Sequence, residues 1–325
     1  MSSRRLALET LAVDAGTHPG LWLDKALPKV EEGNQGHQAH FDDLLNKISV
    51  AADYRRFFQR WRDSVQVLEP CTRTAEITVQ GRMVVGLGAE SVLETSIALH
   101  RTYGAPYIPG SALKGLAAAA AHKRLENPAW NKTAKDGKIG ACHQILFGDQ
   151  ESAGYVTFHD ALWIPNGDKL PLDLDVMTVH HPDYYQGKTD APPADWDSPT
   201  PVAFLTARGR YLLALTGPEE WADAALEILL EALHHDGIGA KTAAGYGRMS
   251  APSKPKPESI PWELRIKGLH MGNAETVVPG VLAPLRGSAR RQAADAIIAR
   301  LGRRDLNKKK ERDWVQQLLA AAELT

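Results

Sequence analysis

The spacing of apolar residues divides the chain into helical and extended segments. Between His40 and Val65, apolar side chains recur every three or four residues, which is the period of a helix with one buried face. "TAEITVQGRMVVGLG", from Thr74 onward, alternates apolar and polar residues and predicts a half-buried strand. "SIALHRTYG", which begins at Ser96, predicts a second strand.

Two further helices have recognisable ends. Pro109-Gly110-Ser111 ends a loop, and serine is a residue type that caps helices, so we expect a helix from Ser111 to about Leu125. "PEEWADAALEILLEALHHDG" has proline at its start, acidic residues in its first turn and Gly237 at its end. These features together predict a strong helix.

Between these helices lie predicted strands and one long polar segment. "ACHQILFG" predicts a short helix, "GYVTFHDALWIP" a strand, and "PVAFLTARGRYLLALTG" two strands joined by a turn at Arg208-Gly209. Residues 166–201 are too long for a plain connection and too polar for the core, so we expect a protruding insertion. A short strand from Gly245 to Ser250 precedes "APSKPKPES", which is typical of a linker.

The order of these elements indicates the fold class. Strand, strand, helix, several strands, helix, glycine-rich loop and strand predict an α+β fold with helices packed on an antiparallel sheet. A ferredoxin-like, RRM-type sheet with insertions fits this order best. We expect an N-terminal extension and helix in residues 1–66, the ferredoxin-like core with its insertion in residues 67–252, and a basic C-terminal extension of mixed strand and helix in residues 253–325.

Composition narrows the class of protein. The chain has 325 residues, 43% hydrophobic and 24% charged, as in ordinary soluble globular proteins. No apolar run is long enough to span a bilayer, and the N-terminus lacks a secretory core with a cleavage site. Cys71 and Cys142 are far apart, so neither a disulfide framework nor a zinc knuckle is expected. We therefore expect a cytoplasmic protein with no membrane partner.

The net charge of −1 conceals a split along the chain. From Ser253 to the end there are 14 Lys and Arg residues against 8 Asp and Glu, a net of +6, whereas the rest carries −7. The net charge of the whole chain does not indicate binding to a polyanion, so any contact with nucleic acid must come from the local placement of cations. For the basic C-terminal segment alone, a solvated helical surface is the interpretation that we favour.

"GIGAKTAAGYGRM", residues 237–249, combines glycines with basic residues and one tyrosine. Ala240 precedes Lys241, and a helix rather than a strand comes first, so a nucleotide-binding P-loop and a dinucleotide fingerprint are both excluded. The glycines would let the phosphates of a polymer approach the backbone, with charge from Lys241 and Arg248 and stacking from Tyr246. A tight helix-to-strand turn with positive φ and Tyr246 in the core explains the same residues, and both interpretations stay open.

The helix that begins near Ser111 also has features that favour the binding of an anion such as phosphate. Lys114 lies in its first turn, and no acidic residue occurs between Ser111 and Arg124. A cation there is unfavourable by roughly 0.3–1 kcal/mol, and an anion bound to the free N–H groups would reverse this. Gly115 costs the helix about 1 kcal/mol relative to alanine, which favours a close approach by another molecule. Chance placement of one lysine is the competing explanation.

Catalytic and metal-binding patterns are weak. His180-His181 followed by Tyr184-Tyr185 resembles an acid–base cluster for RNA cleavage, but adjacent loop histidines are more often polar surface or, here, contacts to RNA. No nucleophile elbow, HExxH or paired-carboxylate motif occurs. No metal-ligand spacing connects the acidic residues Glu94, Asp149 and Asp160. We therefore expect no catalytic residue, no metal and no cofactor.

Four segments occur together in the order found in one family: "HPGLWLDK", "VVGLGAESVLETSIALHRTYGAPYIPGSALKG", "LFGDQESAGYVTFHDA" and "GIGAKTAAGYGR". From about Thr17 to Met249 the chain resembles the RAMP superfamily of CRISPR proteins, and most specifically the family of sixth Cmr subunits of type III-B effector complexes. The combination of PGS-x-LKG with GIGAKT-x-x-GYG is the most specific part of this resemblance. The segment beyond Ser253 is not part of the family pattern.

The resemblance implies a ferredoxin-like, non-catalytic subunit that binds guide RNA and its target duplex beside other Cmr-type subunits, toward the 3′ end of the guide. It implies that residues 166–201 form a thumb-like element against the duplex, and that the glycine-rich loop and the PGS-x-LKG helix lie near RNA. With His181 added from the insertion, the expected RNA-binding residues are Ser111, Lys114, Gly239, Lys241, Thr242, Tyr246, Arg248 and His181.

Specific roles follow for some of these residues. Lys114, Lys241 and Arg248 would contact phosphate, so binding would be largely independent of guide sequence and strongly dependent on salt. Tyr246 would stack on a base or support the loop. Two other functions stay open: a RAMP endoribonuclease that processes guide precursors through a histidine such as His181 or His100, and a scaffold subunit with no RNA contact of its own.

Overall fold

The chain forms two compact units, Met1–Pro252 and Ser253–Thr325. A computed structural model describes residues 7–8, 11–27, 35–68, 71–132, 139–188, 190, 192–194, 199–251, 266, 269–283, 285 and 287–323. None of the helices in these ranges has the length and apolar composition needed to cross a membrane.

The first unit alternates helices and strands. Its helices are α1 (Pro19–Lys25), α2 (Gln35–Lys47), α3 (Ala52–Val67), α4 (Gly110–Arg124), α5 (Ala141–Phe147), α6 (Pro182–Tyr185) and α7 (Glu219–His235). Its strands are β1 (Thr72–Val79), β2 (Tyr107–Ile108), β3 (Thr157–Phe158), β4 (Ala161–Trp163), β5 (Leu172–Val179), β6 (Thr200–Ala207), β7 (Arg210–Thr216) and β8 (Met249–Ser250). The helical period between His40 and Val65 thus corresponds to two helices, α2 and α3.

An antiparallel sheet organises the first unit. Its strand order is β2-β4-β7-β1-β8, and β3 also pairs with β7. The longest pairing joins β1 to β7, in a register that runs from Thr72↔Thr216 to Thr78↔Arg210. The expected α+β class, with helices and an antiparallel sheet, is confirmed.

Both faces of this sheet are covered, which explains the unbroken apolar run of β7. Leu213 belongs to the main core together with Leu229 and Leu233 of α7. Leu212, the preceding residue, points to the opposite face, where it clusters with Phe58 of α3. A strand buried on both sides loses the polar alternation of a half-exposed strand.

The strands β5 and β6 form a second, two-stranded sheet, with a register from Leu172↔Ala207 to Val179↔Thr200. Leu170 and Leu172 are buried in the main core, so the expectation that residues 166–201 are too polar for the core is wrong at the start of that segment. The two strands predicted on either side of Arg208-Gly209 are present, but they belong to different sheets.

The strand predicted for "SIALHRTYG" is absent from the described residues, which are irregular there. Leu99 forms only an isolated bridge to Pro106. The N–H of Gly104 donates to the carbonyl oxygen of His100 at 2.7 Å and closes a turn, with Gly104 at a φ of +67°. A left-handed glycine reverses the chain direction, so the apolar pattern here does not produce an extended segment.

The cap predicted at Ser111 is also wrong. Helix α4 begins at Gly110, with Pro109 in the cap position and no side-chain cap from that residue. The N–H of Gly110 instead donates to Oδ1 of Asp160 at 2.7 Å. A Cβ on Gly110 would overlap the carbonyl oxygen of Phe158, so the helix start is fixed by residues distant in sequence.

The second unit is helical in its described residues, with no strand in the ranges given above. Its helices are α8 (Ala274–Leu282), α9 (Gly287–Leu301), α10 (Arg303–Asn307) and α11 (Asp313–Glu323). Buried residues from all four helices form one cluster of their own, including Val278, Ile297, Leu306 and Leu318. The expected mixture of strand and helix is not observed here, and the predicted linker after Ala251 lies outside the described residues.

Gly110→Ala should destabilise the first unit, because the added Cβ would overlap the backbone of β3. We expect a loss of about 1–3 kcal/mol, measured as a lower midpoint of thermal unfolding by circular dichroism. Gly115→Ala is the matched control in the same helix, since no heavy atom lies within 4 Å of a Cβ there. Equal midpoints for the two variants would contradict this account of the helix start.

Candidate nucleic-acid interface

The glycine-rich segment packs closely against its own chain. A Cβ on Gly239 would overlap the carbonyl oxygen of Val84, and a Cβ on Gly247 would overlap that of Ile238. A Cβ on Gly237 would lie 3.0 Å from a backbone oxygen of the same segment. The tight-turn interpretation therefore accounts for these three glycines without any ligand.

Main-chain hydrogen bonds hold both ends of this segment. The N–H of Ala240 donates to the carbonyl oxygen of Val84 and the N–H of Gly247 to that of Arg82, each at 2.8 Å. The N–H of Ile238 donates to the carbonyl oxygen of Gly247 at 2.9 Å. The segment is thus a closed loop bonded to residues 82–84.

The tip of the loop is exposed. A 3-10 turn spans Thr242–Ala244, and Gly245 follows it with a φ of +91°. No heavy atom lies within 4 Å of a Cβ on Gly245, so backbone conformation rather than space requires glycine there. Because Gly247 is also left-handed, the strand predicted from Gly245 begins only at Met249.

Lys241 stands at the start of this tip in a strained conformation. Its φ is 59°, in the left-handed region that lysine rarely adopts and that costs on the order of 1 kcal/mol. Its Nζ lies 5.7 Å from the centroid of the Phe204 ring, within range of a cation–π interaction. In the described part of the chain, Lys241 makes no ion pair.

Tyr246 supports the loop from the side of the β5–β6 sheet. Its hydroxyl donates to Oδ2 of Asp175 at 2.6 Å, and its ring centroid lies 6.1 Å from that of Phe204. Asp175 also forms an ion pair with Arg82, with 2.5 Å between Oδ2 and Nη1. Tyr246 is half-buried, so it is neither a core residue nor a freely projecting ring.

The charges around Asp175 are set by these bonds. Burial raises the pKa of Asp175, but hydrogen bonds from Tyr246 and Arg82 to the ionised form outweigh burial and lower the pKa below its ordinary value. The same bond raises the pKa of Tyr246, because it favours the protonated phenol. Asp175 is therefore an anion at neutral pH, and it compensates the charge of Arg82.

Two cations of the loop remain uncompensated within the described residues, Lys241 and Arg248. Arg248 is exposed, and its carbonyl oxygen accepts a hydrogen bond from the N–H of Gln80 at 2.8 Å, which fixes its backbone. Thr242, half-buried, opens the 3-10 turn between them. The loop thus presents two positive side chains on a backbone held at both ends.

The start of α4 presents a second group of predicted residues. Ser111 is exposed. Lys114 is half-buried and makes no ion pair within the described ranges. The carboxylate of Asp160 already occupies one position at this helix end, through its bond to Gly110. Gly115 is exposed with nothing within 4 Å of a Cβ, so the fold itself does not require glycine there.

The predicted residues lie on three separate segments of the chain: the start of α4, the glycine-rich loop and the residue before α6. An ion pair of 2.6 Å between Arg124 and Asp236 brings the last turn of α4 beside the end of α7, where the glycine-rich segment begins. Lys114 lies ten residues before Arg124, which is about 15 Å along the helix axis. His181 lies in a third place, beside α6 at the end of β5, with its ring centroid 6.2 Å from that of His180.

Sequence reasoning missed the residues that hold the loop: Arg82, Asp175 and Phe204. Each lies in a segment remote from the glycines, and Tyr246 and Asp175 are separated by 71 residues. No local pattern marks these residues as partners.

His100, the alternative catalytic residue, is packed among aromatic rings. Its ring centroid lies 5.3 Å from that of Phe57 and 5.0 Å from that of Tyr103. Burial lowers its pKa, and its Nδ1 accepts a hydrogen bond from the N–H of Thr102 at 3.3 Å. In the part of the chain that the structure describes, no group of three His, Cys, Asp or Glu residues could hold a metal ion.

Comparison with known proteins identifies the family. The model of the RAMP superfamily matches residues 76–250, a range that includes the second half of β1, the strands β2 to β8, α4, α7 and the glycine-rich loop. The chain belongs to the RAMP superfamily. The match ends at residue 250, before the helical second unit.

Individual relatives come from CRISPR systems. The chain is 34% identical over 247 residues to the CRISPR system Cmr subunit Cmr6 of Pyrococcus furiosus, covering 60% of this chain and 72% of that protein. Its fold is similar to a chain in the cryo-EM structure of a type III-B Cmr-beta bound to cognate target RNA, with a TM-score of 0.52, 18% identity, and coverage of 69% of this chain and 77% of that one. The crystal structure of Cmr6 from Pyrococcus furiosus matches with a TM-score of 0.36 and 34% identity, over 56% of this chain and 98% of that one.

The bonds to Asp175 should make loop stability depend on pH. A carboxyl group whose pKa is lowered by folding contributes stability above its unfolded pKa of about 3.9, and this contribution is lost as pH falls through the folded pKa. Asp175→Asn should therefore lower the midpoint of thermal unfolding by about 2–4 °C at pH 7. The deficit should shrink as the pH is lowered below about 4.

Asp42→Asn is the control, because Asp42 is an exposed aspartate of α2 whose carboxylate makes no ion pair in the described residues. A deficit in Asp175→Asn that is the same at pH 7 and at acidic pH would contradict the role given to the Asp175 carboxylate.

Proposed function

We propose that the chain is an RNA-binding, non-catalytic subunit of a type III-B Cmr effector complex, which contacts guide RNA and the guide–target duplex near the 3′ end of the guide. The similarity to Cmr6 of Pyrococcus furiosus and the fold likeness to a chain of an RNA-bound Cmr-beta structure support this assignment. Other Cmr-type subunits are then its protein partners.

The observation that carries the proposal is the glycine-rich loop. Lys241 and Arg248 project from a backbone bonded at both ends, no carboxylate of the described residues pairs with either of them, and Lys241 keeps a strained φ of 59°. Strained residues that persist on a fixed backbone concentrate at functional sites. Cations that are held in position and make no ion pair in the described residues suit backbone phosphates, whose recognition carries no base sequence.

The fold supports the same proposal at the level of topology. Along the chain the order is β1, α4, β4, β7, α7 and β8, and across the sheet it is β4-β7-β1-β8. We propose that the core is ferredoxin-like, and a βαββαβ order with the last strand beside the first supports this proposal. Several RNA-binding modules use such a sheet as their frame.

The β5–β6 sheet is proposed as the thumb-like element. Its strands pair over eight residues each, and α6 follows β5 with two exposed aromatic side chains, Tyr184 at 44% and Tyr185 at 74% of full exposure. His181 lies immediately before this helix. Exposed rings beside a histidine suit stacking on the bases at a duplex end.

The bond from Tyr246 to Asp175 gives the thumb-like element a fixed relation to the loop. In this arrangement Tyr246 supports the loop and its hydroxyl is already engaged, so we assign it a supporting role rather than base stacking. Lys114 and Ser111 would contact phosphates from the start of α4, whereas Lys241 would contact them from the glycine-rich loop.

Co-purification tests the proposal directly. The tagged full-length chain should retain repeat-derived guide RNA and large companion subunits when isolated from its host. Lys241→Ala/Arg248→Ala should lower the amount of guide RNA recovered per subunit and make the remaining retention depend less steeply on salt, because each lost phosphate contact removes its share of the counterion release. The measurement is sequencing and quantification of the attached RNA.

Arg60→Ala/Lys123→Ala is the matched control, since both side chains are exposed cations without an ion pair in the described residues, and both lie outside the loop. A scaffold subunit would keep the same RNA after either double substitution. Metal-independent cleavage of repeat RNA by the isolated chain, abolished by His181→Ala or His100→Ala, would replace the proposal with a processing endoribonuclease.

Gly115→Ala separates the stability of α4 from its contact with RNA. The substitution should raise the thermal midpoint slightly, since alanine is favoured over glycine by about 1 kcal/mol in a helix and the site is open. If RNA passes close to the first turns of α4, the same variant should retain less guide RNA than the unaltered chain, measured in the same co-purification. A variant that gains stability and keeps all its RNA would remove Lys114 and Ser111 from the interface.

A further inference from the structure

The second unit contains a groove lined by basic side chains. It has a volume of about 1120 Å³ and lies between the short helix α10, the turn that follows it and α11. Arg303, Lys308, Lys309, Lys310 and Arg312 line it. Glu311 is the one carboxylate among the described lining residues. The charge of this groove is therefore strongly positive.

Only part of this charge is compensated inside the unit. Lys308 pairs with Asp305 at 2.8 Å, and Arg312 pairs with Glu275 of α8. Arg303, Lys309 and Lys310 make no ion pair within the described residues. Neighbouring like charges repel each other, and a bound polyanion would remove that repulsion.

The turn that carries the lysines is held by buried neighbours. Leu306 is fully buried, and Val315 on the other side of the turn is fully buried too. The N–H of Lys309 donates to the carbonyl oxygen of Leu306 at 2.9 Å, and that of Arg312 to the carbonyl oxygen of Lys309 at 3.0 Å. The cations thus project from a fixed turn into a concave surface, rather than from the convex face of a solvated helix.

We propose that this groove binds the phosphate backbone of RNA, as a site separate from the glycine-rich loop. Lysine is depleted from protein–protein interfaces, whose cores are rich in aromatic residues, and the described lining residues of the groove include lysines but no aromatic residue. An acidic protein partner is therefore disfavoured. The lack of stacking rings also means that the groove holds phosphates without reading bases. The choice of RNA as the polyanion rests on the proposed function.

The groove can be tested in the full-length chain with a labelled single-stranded RNA of mixed sequence, about 30 nucleotides long, long enough to cover several single-strand binding sites. Lys309→Ala/Lys310→Ala should raise the Kd about tenfold at low salt and reduce the slope of log Kd against log salt by about 1.4, because each phosphate contact to a single strand contributes about 0.7. Fluorescence anisotropy over a salt series measures both quantities.

Arg291→Ala/Arg304→Ala is the matched control, since it removes the same charge from exposed positions of the same unit outside the groove. The slope of log Kd against log salt for this control should equal that of the unaltered chain. Equal losses of RNA affinity in both double variants would mean that the affinity depends on net charge alone, and this would contradict the groove proposal. An unchanged RNA affinity in Lys309→Ala/Lys310→Ala would also contradict it. Loss of binding to phosphatidylserine vesicles, with RNA affinity unchanged, would assign the groove to a membrane surface instead.

The outcomes also separate this site from the loop. If Lys241→Ala/Arg248→Ala weakens RNA binding and the groove variant does not, the groove proposal fails while the proposed function stands. If only the groove variant weakens binding, the groove stands and the loop assignment fails. Absence of any RNA retention by the unaltered full-length chain at low salt would overturn the groove proposal.

Discussion

The carboxylate of Asp175 accepts bonds from two segments of the first unit that also hydrogen-bond to each other through their main chains. Tyr246 approaches it from the glycine-rich loop and Arg82 from the segment after β1. Asp175 itself belongs to β5, which pairs along its whole length with β6. One ionised side chain therefore bonds both segments to the β5–β6 sheet, and Phe204 of β6 adds ring contacts with Tyr246 and Lys241. Under the proposed function, a loop whose backbone is fixed in this way would lower the cost of ordering on RNA binding.

Glycines occupy their positions in this protein for two different physical reasons. Gly239 and Gly247 are required by the backbone atoms of the same chain, whereas Gly115 meets no other atom of the fold. The distinction matters for function, because only a glycine that the fold does not require can have been placed for an external partner. Gly245 is intermediate, since it is open to solvent but needs its positive φ.

The sequence predicted the α+β class, the helices α4 and α7 and the position of the glycine-rich loop, because periodicity and local turn chemistry determine these features. The prediction failed where the structure is determined by a contact between residues that are distant in the sequence. The bond from Asp160 that starts α4 crosses 50 residues, and a spacing of that kind leaves no local pattern. The strand predicted at Ser96 failed for a different reason, since a left-handed glycine at position 104 turns a segment whose side chains alternate like those of a strand.

Under the proposed function, Lys241 must both adopt a left-handed backbone and carry a positive charge. Glycine or asparagine would adopt this conformation at lower cost, but neither carries a charge. Arginine would keep the charge and the strain, and it would change the compact ammonium into a planar fork. Few replacements can meet the conformational and the electrostatic demand together. The mutational tolerance of this position is therefore narrow even though its side chain reaches the surface.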